Sequence, residues 1–138
     1  MFDPTREQVR GFFFETWRKY RAGLPLVGIE GLGLDIILLH PEYHAFLGED
    51  ANREKDLSGE ANPFLHMSLH LALEEQLSID QPPGVRAALE RLMARKGDRH
   101  EGFHEAIECL AEMMWRSQKD KAPPDAGLYL ECLRKRAG

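Results

Sequence analysis

Six histidines, His40, His44, His66, His70, His100 and His104, stand in this sequence as three pairs with four-residue spacing. On a helix that spacing stacks two imidazoles on one face, one turn apart. Two of the pairs belong to a longer repeat. His66 to Glu74 and His100 to Glu108 both read His-x-x-apolar-His-x-x-apolar-Glu. His40 to Leu47 follows the same pattern until Gly48 takes the place of the acid, with Glu49 one residue late.

At about 100° per residue, His104 and Glu108 fall roughly 40° and 80° from His100. The apolar stripe of Phe103, Ile107, Leu110 and Met114 adjoins them, so the histidines are expected on the buried side. Glu105 and Cys109 are expected to face away. Leu69, Leu73 and Leu77 flank His66 and His70 in the same manner, with Glu74 following. Burying imidazoles and carboxylates is costly unless each polar group is paired. A metal ion satisfies both, and this donor set suits divalent transition metals. His40, His44, His66, His70, Glu74, His100, His104 and Glu108 make eight donors, enough for two ions. The expectation is a dinuclear non-haem iron centre, with zinc as the alternative metal. Non-haem di-iron sites in helical bundles use such side chains, and an open position would permit O2 binding, redox sensing or oxidation chemistry.

Two other readings compete. His100-Glu101-x-x-His104 matches the HExxH helix of zinc hydrolases, in which the Glu is the general base. Glu101 also has a simpler role as capping-box partner of Asp98. Alternatively the histidines, with or without a metal, hold together a non-enzymatic binding or structural module. Glu30 reads as a surface or packing acid, and Glu15 points away from the apolar face of its helix. Trp17, Tyr20, Tyr43 and Trp115 fit core packing as well as a site lining.

These groups need helices to position them. Asp3, Pro4 and Glu7 open a first helix running to about Arg21, with Val9, Phe13, Trp17 and Tyr20 on its apolar face. A second stretch spans about Val27 to Leu47, with a kink or restart expected at Pro41. Residues 48–61 are polar and predict a loop. Asn62 and Pro63 open a third helix to about Ile79, and Asp80 to Gly84 breaks it. Val85 to Arg95 forms a fourth, stopped by Gly97. Asp98 caps a fifth, to about Lys119. Pro123-Pro124-Asp125 introduces the last. With no strand alternation, the class is all-α, a four-helix-type bundle with additional short helices, in one domain over residues 1–138.

Composition narrows the partners. The 138 residues carry 18 Lys+Arg against 23 Asp+Glu, a formal net charge of -5 with no basic run. That speaks against nucleic acid and anionic membranes. The longest apolar stretch, Leu32 to Leu39, is too short to span a bilayer. The N-terminus has no apolar leader pattern. Cys109 and Cys132, without a CxxC, argue against a disulfide scaffold and a thiolate zinc cluster, and so for a cytoplasmic setting.

Several blocks taken together carry a family likeness. Pro25-Leu26, His40-Pro41-Glu42-Tyr43-His44, Asn62-Pro63-Phe64-Leu65-His66-Met67-Ser68-Leu69-His70, Glu108-Cys109-Leu110-Ala111-Glu112 and Pro123-Pro124-Asp125 resemble the bacterial family catalogued as domain of unknown function 1841. This resemblance spans nearly the whole chain and implies no particular activity. A looser likeness is to hemerythrin-like and DinB-like metal-binding bundles. His70 with Glu74, and His104 with Glu108, resemble the HxxxE ligand pair of hemerythrin. His66 with His70, and His100 with His104, resemble its HxxxH pair.

Overall fold

Proline, glycine and short polar residues punctuate the chain, and the helix boundaries follow them. The computed structural model describes residues 6–49, 52 and 63–138. Among these are seven α-helices and no strand: α1 (Arg6–Arg21), α2 (Glu30–Leu38), α3 (His44–Leu47), α4 (Pro63–Ile79), α5 (Val85–Lys96), α6 (Arg99–Asp120) and α7 (Ala126–Ala137). The chain is all-α, as its patterning predicts. The expected caps at Asp3 and Asn62, and most of the loop at 48–61, lie outside the described residues. No helix among the described residues is long and apolar enough to cross a membrane.

The chain divides into two compact units, Met1–Leu71 and Ala72–Gly138. In the first, α1 packs on α2 and α3 around Phe13, Phe14, Trp17, Ile36, Ile37, Leu47, Phe64 and Met67. Each such side chain, fully buried, contributes roughly 1.5–3 kcal/mol of transfer free energy. Tyr20, expected on this buried face, is 44% exposed, because it lies in the last turn of α1, where the helix runs out into solvent. A Cβ on Gly33 would lie 2.7 Å from the Phe12 ring, so the glycine lets α1 and α2 approach.

Pro41 does more than kink the second stretch. The residue before a proline is pushed out of the α region, and His40 has φ -126° and ψ 68°. Helix α2 therefore ends at Leu38, Pro41–Tyr43 forms a single 3-10 turn, and α3 restarts at His44. His40 and His44 do not share a continuous helix face, contrary to the i,i+4 expectation for this pair.

In the second unit α5, α6 and α7 pack on one another. Val85, Leu89, Leu92, Phe103, Ala106, Leu110, Tyr129 and Leu133 are buried. Asp98 caps α6 by accepting the Glu101 N–H, as its capping-box spacing predicts, and Asp125 caps α7 through Leu128 N–H. The second half of α4 also belongs to this unit, and Tyr129 Oη donates to Gln76 Oε1 at 2.6 Å.

Two expectations for α6 are corrected here. Cys109 does not face solvent: it is 2% exposed and bonded to Cys132 of α7. Glu105, on the same side, meets Arg136 of α7 at 2.6 Å and Lys96 of α5 at 2.9 Å. The reason is that α6 has two helical neighbours, so its apparently outer face is covered as well. Conversely Trp115, near the histidine side by helical angle, is 58% exposed in the last turns of α6. The disulfide removes the cysteine pair as an argument for a cytoplasmic setting.

Candidate metal centre

His40 is held by the break that Pro41 imposes. Released from helical geometry, its ring folds back over the end of α2, where Nδ1–H donates to the Ile36 carbonyl at 2.7 Å. A neutral imidazole has one N–H and one lone pair. Committing the proton to Nδ1 leaves the lone pair on Nε2. That atom lies 3.0 Å from His66 Nε2, on the first turn of α4. His66 Nε2 in turn lies 3.2 Å from His70 Nε2, one turn further along α4.

The three rings are mutually close. Their centroids are 4.8 Å apart in all three pairings, and the planes cross at 82°, 68° and 74°. Such edge-on crossings let nitrogens converge where stacked rings would not. The ligand-capable atoms of the three lie within 4.8 Å of one another. His40 and His70 are buried, at 2% and 1% exposure, and His66 is half-buried. Tyr43 stacks on His40, with centroids 5.4 Å apart and planes 10° apart. Burial raises the Tyr43 phenol above its ordinary range, and the Glu42 charge adds to that.

Nitrogens 3.0–3.2 Å apart fit two situations. One proton on His66 Nε2 can lie between them, or a cation can. Imidazoles bound to one ion at about 2.0–2.1 Å in tetrahedral geometry place their nitrogens about 3.3 Å apart, close to what is seen. A ligand imidazole also characteristically donates its second N–H to a backbone carbonyl or carboxylate. His40 does so to Ile36.

Of the remaining candidates, His44, Glu74 and Glu108 have other partners. His44 Nε2–H donates to the Ile37 carbonyl at 2.8 Å, and its ring packs 4.4 Å from that of Trp17. Glu74 is engaged by Arg99, at 2.6 Å to Nη1 and 2.9 Å to Nη2. Glu108 is exposed and pairs with Arg136. His100 and His104 lie ring to ring on α6, centroids 4.1 Å apart and planes 59° apart, and both are half-buried. Glu101, the base of the HExxH reading, is exposed, and its backbone N–H is capped by Asp98. Glu30 holds Lys19 at 2.9 Å and the Val27 N–H, as expected of a packing acid, and these two hydrogen bonds hold its carboxyl below the usual range.

Sequence reasoning found the histidines but not the backbone carbonyls of Ile36 and Ile37, which decide where His40 and His44 turn. The signal for the first was the pre-proline position of His40. No curated protein matches the chain, and no solved structure does. The likeness to hemerythrin-like and DinB-like bundles thus finds no match behind it. Residues 5–135 match the family described as Domain of unknown function (DUF1841), and the chain belongs to that family.

Proposed function

We propose that this protein binds a divalent transition metal through His40, His66 and His70. The observation that carries the reading is the convergence of three Nε2 atoms, with the His40 lone pair aimed by the Nδ1 hydrogen bond to Ile36. Three imidazoles leave coordination positions for an exogenous ligand, water or O2 among them. An all-imidazole set suits zinc, copper, nickel or iron. The dinuclear iron centre suggested by the sequence repeat needs carboxylates, and Glu74 and Glu108 would have to leave Arg99 and Arg136 to supply them. The geometry therefore favours a single histidine-bound ion.

Zinc titration of chelator-stripped protein, followed by calorimetry, tests this reading. Saturation at one site that disappears in His70→Ala supports it. Unchanged binding in His70→Ala, or no binding by the wild type, refutes it. The Cys109–Cys132 bond removes the cysteine argument for a cytoplasmic setting.

A further inference from the structure

The Cys109–Cys132 bond borders a groove between α6 and α7 of about 470 Å³. The two sulfurs are not equivalent. Cys109 is 2% exposed, whereas Cys132 is only half-buried. Tyr129 and Leu128 give the groove apolar lining, and its rim carries both charge signs, with Arg116 paired to Glu112 and Lys135 paired to Glu131. A groove of this volume falls in the range of small-ligand sites, roughly 300–1,000 Å³, and its mixed rim suits a zwitterion.

We propose that this disulfide is a thiol-exchange site, entered at Cys132 by a low-molecular-weight thiol with both carboxylate and ammonium groups. The thiolate of the incoming molecule attacks Cys132 Sγ along the S–S axis. A bond forms between the two sulfurs, the Cys132–Cys109 bond breaks, and Cys109 leaves as a thiolate. A second thiolate then attacks the sulfur of the first in the mixed disulfide. It releases Cys132 as a thiolate and the small molecule as its own disulfide. Two electrons pass from two thiols to the protein, and both cysteines end reduced. Both cysteines line the groove, and exposure distinguishes them: the half-buried Cys132 is the one attacked, and the buried Cys109 is the leaving group. Reduction unties α6 from α7 at this point, while Tyr129 and Leu133 keep their burial in the unit.

The experiment uses the wild-type chain in native buffer with excess reduced glutathione, acid-quenched over time, alkylated and peptide-mapped. The expected trapped species carries glutathione on Cys132 and alkylation on Cys109. Its formation rate should level off as glutathione rises, whereas the rate with uncharged 2-mercaptoethanol should stay linear. Cys109→Ser should take up one glutathione from oxidised glutathione at Cys132. Glutathione on Cys109 instead, a bond that reacts only after denaturant is added, or linear rates with both thiols would overturn the proposal. The wild-type arms decide the matter even if the variant does not fold.

Discussion

The Nε2 atoms of His40 and His66 lie 3.0 Å apart, although 26 residues separate the two in the chain. His40 stands two residues beyond α2 and His66 on the first turn of α4, so the contact is made by tertiary structure and not by helical spacing. His70 joins from the next turn of α4. The i,i+4 rule accounts for one edge of this triangle, and the pre-proline break at His40 accounts for the rest.

Removing any of the three converging imidazoles should weaken metal binding much more than removing His44. His66→Ala is expected to lower affinity by about 100-fold or more, since loss even of an outer hydrogen-bonding partner costs about 10–100-fold. His44→Ala should leave affinity within about twofold, because its Nε2–H is committed to Ile37. Competition titration against a metal-sensitive dye, with circular dichroism to verify folding, separates the two. Equal losses in both variants would show that the three-histidine geometry is not what binds.

Two glycine substitutions should move stability in opposite directions. A Cβ on Gly102 would lie 2.8 Å from Met93 Cα, a backbone atom that cannot withdraw. Gly102→Ala is therefore expected to cost about 1–3 kcal/mol through overpacking, net of the gain in helix propensity. Gly31, in α2, has nothing within 4 Å of its Cβ position. Gly31→Ala should stabilise by about 0.5–1 kcal/mol. Urea denaturation of both variants reads the two signs.

The Glu105 carboxylate is held below its ordinary pKa by hydrogen bonds from Lys96 and Arg136. A depressed folded-state pKa gives stability that is complete above the unfolded value, about 4.3, and is lost as pH falls through the folded value. Glu105→Gln should thus destabilise at pH 7 by about 0.5–1 kcal/mol, a figure reduced for solvent screening of this partly exposed group. The difference should narrow in acid below the folded pKa. Thermal melts of wild type and variant across this range measure it. A constant difference would mean that packing, not charge, is lost.

Tyr129 is 1% exposed, and its hydroxyl is bonded to Gln76. Burial raises the phenol well above its ordinary pKa, and the Gln76 bond offsets this only in part. Tyr129→Phe removes the donor and strands the Gln76 acceptor, at an expected cost of about 1–2 kcal/mol. Tyr129→Phe with Gln76→Leu should recover part of that loss. A double-mutant cycle by chemical denaturation provides the coupling.

Helix boundaries were largely legible where local chemistry acts alone. Pro63 at the start of α4, Gly97 after α5, and Asp98 and Asp125 before α6 and α7 all mark the ends seen. What local pattern could not show was which faces have neighbours. Cys109 looked solvent-facing because helical angles place it opposite His100, yet α7 covers that side and bonds to it. Glu74 and Glu108 lie at the edge of the histidine arc, about 80° round, where Arg99 and Arg136 reach them. Imidazole spacing identified the residues with ligand chemistry. The direction of each nitrogen depends on backbone carbonyls, as the contrast between His40 and His44 shows.

Metal content of tag-free protein, purified from cells supplied with iron, zinc, copper and nickel and measured by elemental analysis, tests the central claim most directly. The account predicts about one transition-metal ion per chain in the wild type and less than about a tenth of that in His40→Ala. Wild-type protein without near-stoichiometric metal after both aerobic and anaerobic purification, or a His40→Ala variant that retains its ion, would contradict it.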